Sequence, residues 1–177
     1  MPAAMTSAAD HDNLLGIYLN DHLAGAAAGV ELSRRLAGAE RGEPHGPALR
    51  ALAREIEEDR SALLEMMRAL DVSVQSYKTW LGWVAAKAGS LKPNGRLLAR
   101  SPLSRVVELE MMRLGVEGKA ACWRTLRIRA EHDARLDNSR LDKLILRAND
   151  QVERLEQLRV LAAADAFGGS TAPVDGR

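Results

Sequence analysis

Two glutamates, Glu110 and Glu117, stand seven residues apart in a stretch that reads as one amphipathic helix. Seven residues is two helical turns, so both fall on one face. That face is apolar, its seam reading Leu103, Val107, Glu110, Leu114, Glu117, Ala121 and Thr125. A carboxylate in such a seam needs a cation, a metal or a proton beside it. Asp59 and His22 fall on the seams of two further predicted helices. His22, Asp59, Glu110 and Glu117 would together offer carboxylate and imidazole ligands suited to a hard or borderline ion such as iron or manganese. The competing expectation, which the residue types favour, is pairing with arginine or hydrogen bonding to a neighbouring helix. Arg113 and Lys119 lie close to Glu117, and a stripe turned by one position would expose both glutamates.

Other reactive residue types carry less. Glu55, Glu57, Glu58 and Asp59 form an acidic run that reads as a solvated face opposite Arg54 and Arg60. His22 follows Asp21, but adjacent residues on a helix point apart, so a satisfied core histidine is expected. Cys122 is the only cysteine, which excludes an intrachain disulfide and a cysteine-based metal site. It reads as a small packed residue with no base indicated beside it. Lys92-Pro93-Asn94-Gly95-Arg96 is a tight turn with two cations and only a weak phosphate-nest signal. No dinucleotide or Walker glycine pattern and no nucleophile elbow is present.

Four helical segments must position these groups. Core-facing positions in the first read Leu15, Leu19, His22, Ala26, Gly29, Ser33 and Leu36, with a band of small residues from Ala24 to Gly29. In the second they read Leu49, Leu52, Ile56, Asp59/Arg60, Leu63, Met67 and Leu70, and in the fourth Leu141, Leu144, Ala148, Val152, Leu155, Leu158 and Ala162. The expected helices run over about 13–39, 47–70, 102–130 and 137–164, after a flexible lead at 1–12 and before a disordered tail at 167–177. Asp10 or Asp12, Pro47, Ser101-Pro102 and Asp137 are the start signals. Few residues are β-branched and the chain has one Phe, two Tyr and three Trp, so the core must be Leu, Ala, Val, Ile and Met packed between helices.

Between the second and third helices lies a long connector, 71–101. From Asp71 to Glu108 no acidic residue intervenes, while six basic ones do, leaving 19 Lys and Arg against 24 Asp and Glu elsewhere. Tyr77, Lys78, Trp80, Trp83, Lys87, Lys92 and Arg96 make this the candidate contact surface, for a protein partner or an anionic membrane. The plainer expectation is a strap across the bundle that buries its tryptophans.

One long crossover among four helices resembles the ferritin-like superfamily. More closely, Tyr18 to Gly25, Glu55 to Asp59, Leu91 to Leu98, Ser101 to Ser104 and Glu108 to Glu110 resemble a family of small uncharacterised bacterial helical-bundle proteins, over roughly residues 13–165. The resemblance implies an all-α, antiparallel four-helix bundle. Di-iron members of the superfamily place a Glu on two helices and Glu-x-x-His on the other two. Here the second helix offers Glu55-x-x-Glu58 without His, and the fourth has no such motif. Only His22 or Glu31 on the first helix, and Glu110 or Glu117 on the third, could stand in as ligands, so a complete di-iron centre is not expected.

The favoured reading is a non-enzymatic structural or interaction bundle, with a homodimer through the first helix's small-residue face as the candidate assembly. The alternatives are a metal-binding or oxidoreductase bundle on the seam carboxylates, and a peripheral binder acting through the 72–107 segment. A net charge of +1 argues against a nucleic-acid partner. The lack of an apolar leader or a run of ~20 apolar residues points to the cytoplasm.

Overall fold

The computed structural model of the chain describes residues 8–75 and 101–168. Its elements are α1 (Ala8–Ala39), α2 (Gly46–Ala69), α3 (Pro102–Arg129) and α4 (Asn138–Phe167), and no strand occurs among the described residues. The expected connector contacts Tyr77, Lys78, Trp80, Trp83, Lys87, Lys92 and Arg96 lie outside the described residues, as does most of the C-terminal tail.

The apolar periodicity sets which faces turn inward. In α2 the buried positions include Leu49, Leu52, Ile56, Asp59, Leu63 and Met67, and in α4 Leu141, Leu144, Ala148, Leu155, Leu158 and Ala162. The first follows its expected seam; in the second, Gln151 is buried where Val152 is expected and Val152 is half-buried. The fully buried large side chains include Trp123, Leu19, Leu36, Met67, Leu109, Leu126, Leu141 and Leu155. Each large aliphatic side chain so buried contributes about 1.5–3 kcal/mol relative to exposure.

Starts and stops are partly as expected. Pro102 opens α3 behind Ser101, whose extended backbone makes it the N-cap residue, although its side chain makes no cap hydrogen bond. Asp137 caps α4, its Oδ1 accepting from the backbone N–H of Ser139 at 2.8 Å and of Arg140 at 3.2 Å. α1 begins at Ala8, so the expected flexible lead is helical from there and Asp10 and Asp12 lie inside the helix rather than at its cap. Gly46 opens α2 where a Cβ would fall 2.3 Å from the Glu40 carbonyl oxygen, so only glycine fits that turn.

Short turns join α1 to α2 and α3 to α4, making two antiparallel hairpins. The hairpins join along α1 and α3. Arg129 pairs with Asp12 at 3.2 Å near one end, Tyr18 Oη donates to Thr125 at 3.2 Å, and Arg105 pairs with Glu40 at 3.4 Å near the other. These contacts make α1 and α3 antiparallel. Asp71, which follows the end of α2 in left-handed backbone (φ 58°), turns the chain back toward α1. There Asn20 holds it: Nδ2 donates to the Ser73 carbonyl at 3.0 Å and Oδ1 accepts from the Gln75 N–H at 2.8 Å. Hence α2 ends beside the start of α1, and α3 begins beside the end of α1, at opposite ends of the bundle.

α3 departs from its expected seam. Its buried residues are Val106, Leu109, Met112, Val116, Ala120, Cys122, Trp123 and Leu126. The helix is turned by about one residue, and Leu114, expected inside, is 66% exposed. Both stripes are apolar enough to be read as a seam. The structure selects the one that buries Trp123. Leu109→Ala is therefore expected to cost about 2–5 kcal/mol, and Leu114→Ala no more than about 0.5 kcal/mol, in chemical denaturation. Equal losses at the two positions would contradict this rotation.

Candidate functional site

The bundle interior holds a polar cluster centred on one carboxylate. Asp59, on the buried stripe of α2, is 2% exposed. Its neighbours on that stripe are apolar, so the charge must be matched from other helices. Lys119 of α3 donates to Oδ2, and Arg147 of α4 to Oδ1. Gln151 of α4, wholly buried, donates from Nε2 to Oδ2 at 3.2 Å and to Glu55 at 3.0 Å, while its Oε1 accepts from Lys119. Arg154 grips Glu55 with two guanidinium nitrogens, and Arg147 reaches Glu58 at 3.0 Å. The cluster therefore runs from Glu58 through Arg147, Asp59, Lys119 and Gln151 to Glu55 and Arg154, tying α2, α3 and α4 together.

Its electrostatics follow from burial and pairing. Burial pushes the Lys119 ammonium below its ordinary value, and Asp59 opposes that push. Burial alone would raise the Glu55 carboxyl. The hydrogen bonds from Arg154 and Gln151 outweigh it, so Glu55 lies below the usual carboxylate value. Each acid in the cluster faces at least one cation, the condition under which buried charge is tolerated.

The four expected metal ligands are not brought together. Asp59 is central, but an ammonium and a guanidinium occupy its two oxygens. His22 is half-buried against Tyr18, ring centroids 4.5 Å apart and edge-on. Burial lowers its imidazole below the ordinary value, with Asp21 working the other way. The rotation of α3 carries Glu110 and Glu117 out to its flank. Glu110 is 48% exposed and 3.8 Å from Arg159, and Glu117 is 46% exposed and 3.9 Å from Arg113. Among the described residues no group of three or more His, Cys, Asp or Glu is placed to hold a metal. The donor set at Asp59 does not fit iron or manganese, because the two cations already there would repel a third.

Other features are structural. Burial pushes the Cys122 thiol up to about 12, away from nucleophile chemistry. Asp133, in the turn before α4, is held well below the carboxylate range by Arg135 and Arg129. A depression of about 400 Å³ lies at the bundle end beside Gly16, Asn20, Asp71 and Arg135. Another of about 380 Å³, lined by Glu58, Arg140, Lys143 and Arg147, opens over the buried cluster. Neither is lined by a histidine or a cysteine. In the small-residue band of α1, Ala24 is buried and a Cβ on Gly29 would stand 4.0 Å from Ile56, while Gly25 is exposed with nothing within 4 Å of its Cβ position among the described residues.

Sequence reasoning placed Asp59 on a seam but missed its partners. The signal was there in Gln151, a polar residue one turn from Ala148 and Leu155 on the inward stripe of α4. Two polar side chains on facing seams imply a shared network.

Two outcomes follow. Asp59→Leu leaves Lys119 and Arg147 facing each other, and is expected to cost about 3–5 kcal/mol by denaturant melting. Adding Lys119→Met to that variant should recover part of the loss. If the single substitution is neutral, the cluster is not the constraint described. Glu55 supplies the pH test. Its folded-state value lies below the ordinary 4.5, so its stabilisation is present above that pH and lost as pH falls through the folded value. The stability gap between the wild type and Glu55→Gln should thus shrink on acidification below 4.5, and a gap that widens there would reverse the sign.

Comparisons with protein-family models, with curated proteins and with solved structures found no match to this chain.

Proposed function

We propose that the chain is a non-enzymatic interaction bundle of ferritin-like topology, working in the cytoplasm, whose interior is a closed ion-pair cluster rather than a redox centre. The observation that carries this reading is the neutralisation of Asp59 by Lys119 and Arg147. In the di-iron bundles the inward-facing ligands are glutamates and histidines left open to metal. Here the inward carboxylate has its oxygens taken by fixed cations, and a tethered cation leaves neither an open coordination position nor a redox couple.

The ferritin-like part of the proposal is supported by the chain direction. α2 ends and α3 begins at opposite ends of the bundle, so residues 76–100 must cover its length. α1 from Asn20 to Glu40 rises about 30 Å. Twenty-five residues cover that distance whether coiled or extended, as one long crossover requires. No helix among the described residues is long and apolar enough to cross a membrane.

The test is elemental analysis of untagged protein from cells grown with iron, manganese and zinc. Metal well below one equivalent per chain is expected, both in the wild type and in Lys119→Met. Stoichiometric metal in the wild type would sink the non-enzymatic reading. Metal gained only by Lys119→Met would show that the lysine holds the place of an ion.

A further inference from the structure

α3 carries a second apolar stripe, on the face turned away from the core. Met111 is 49% exposed, Leu114 66% and Ile128 67%, with Ala121 and Thr125 also exposed between them. Val107, half-buried, begins the stripe, and Gly118 lies at its middle. These positions recur every three or four residues, so they form one continuous strip along the helix. Every charged residue of α3 lies off it: Arg105, Glu108 and Arg129 face α1, Glu110, Arg113, Glu117, Arg124 and Arg127 lie on the α4 side, and Lys119 faces inward. The exposed side of α2 carries rows of paired charge to α4, such as Glu65–Arg140 and Glu58–Arg147, while the exposed apolar residues of α4 are Leu146 and, gathered at its C-terminal end, Val160, Leu161 and Phe167. A surface helix needs one apolar face for its core, and α3 has two.

Gly118 adds a separate clue. A Cβ there, as at Gly115, would meet nothing within 4 Å, so no neighbour among the described residues requires glycine, although glycine weakens a helix at its middle. Closeness of a second helix from outside would require it.

We propose that this strip is the interface of a homodimer in which two α3 helices pack antiparallel about a twofold axis at Gly118. The proposal rests on the interaction-bundle reading and names its partner as a second copy of the chain. The strip is complementary to itself in that one register. Leu114 of one copy faces Ala121 of the other, large onto small, and the symmetry repeats the pair. Met111 faces Thr125, and Val107 faces Ile128. Glycines on the axis let the backbones approach. Two charge pairs fit the same register. Glu110 and Arg124 share the α4-side flank, where Glu110 is 3.8 Å from Arg159 and Arg124 donates to Asn149 at 3.0 Å. In an antiparallel twofold pair like flanks meet, which sets Glu110 opposite Arg124 of the second copy, twice, and sets Glu117, whose charge Arg113 offsets from 3.9 Å within its own copy, opposite itself across the axis. The strip is about 32 Å long and about 10 Å wide, on the order of 300 Å² per copy. That is below the ~800 Å² per partner of a standard interface, so the dimer is of the weak, concentration-dependent class.

Sedimentation velocity on the full chain over a concentration series tests this, with the helical content of each variant checked by circular dichroism. A reversible monomer–dimer equilibrium is expected. Leu114→Arg should weaken it by at least about a hundredfold. Glu110→Arg and Arg124→Glu should each weaken it by about tenfold, and the double exchange should restore it. Gly118→Cys should form a symmetric intermolecular disulfide, which buried Cys122 does not. A chain that stays monomeric overturns the proposal, as does a dimer indifferent to Leu114→Arg. A monomer whose Gly118→Cys thiol is shielded from maleimide has its strip covered by residues 76–100, which overturns it too. Stoichiometric metal would sink the non-enzymatic reading while leaving this interface standing, so the two failures are distinguishable.

Discussion

A carboxylate at the centre of a bundle has to be neutralised, and most of this architecture can be traced to how Asp59 meets that need. The matching charges come from two other helices, Lys119 on α3 and Arg147 on α4. Because Lys119 must point inward, the rotation of α3 is fixed. With Lys119 inside, Leu109, Met112, Val116, Ala120 and Trp123 go inside with it, and Leu114 goes out. The charge network and the apolar core are thus one constraint expressed twice. A buried ion pair is weak grounds for stability in itself, since desolvation offsets much of its attraction. Its stronger effect is to make every other rotation of α3 costly, because each would take Lys119 from Asp59 and leave Arg147 as its one cation.

The two long seams of the bundle are built differently. α1 and α3 meet closely, with Tyr18 against Thr125 and charged contacts toward the ends. α2 and α4 are bridged by long side chains: Arg140 to Glu65, Arg147 to Glu58 and Asp59, Arg154 to Glu55. Arginine suits this wider seam because its planar fork meets a carboxylate in fixed geometry and its stem covers apolar surface on the way.

The sequence made the helices legible because α2 and α4 each have a single apolar stripe. Leu49, Leu52, Ile56 and Leu63, or Leu141, Leu144, Leu155 and Leu158, admit one orientation only. α3 defeated the same reasoning. Leu103, Val107, Leu114 and Ala121 form as regular a stripe as Leu109, Met112, Val116 and Trp123, and periodicity cannot rank two stripes on one helix. What decides between them is Lys119 meeting Asp59 sixty residues away in sequence, a contact that no local pattern records. The site failed for the same reason. Glu110 and Glu117 were candidates only because the outer stripe was read as the inner one, whereas Asp59 was correctly placed and its partners were the missing half.

The buried cluster also bears on how the chain responds to heat. Hydration of charged groups becomes less favourable as temperature rises, so the cost of taking Asp59, Lys119 and Arg147 out of water falls, while the gain per unit of buried apolar surface levels off. The balance between the two parts of the interior therefore shifts on warming. Near room temperature the leucines hold the bundle together and the charges mainly set its register; closer to the melting point the same ion pairs carry a growing share of its cohesion.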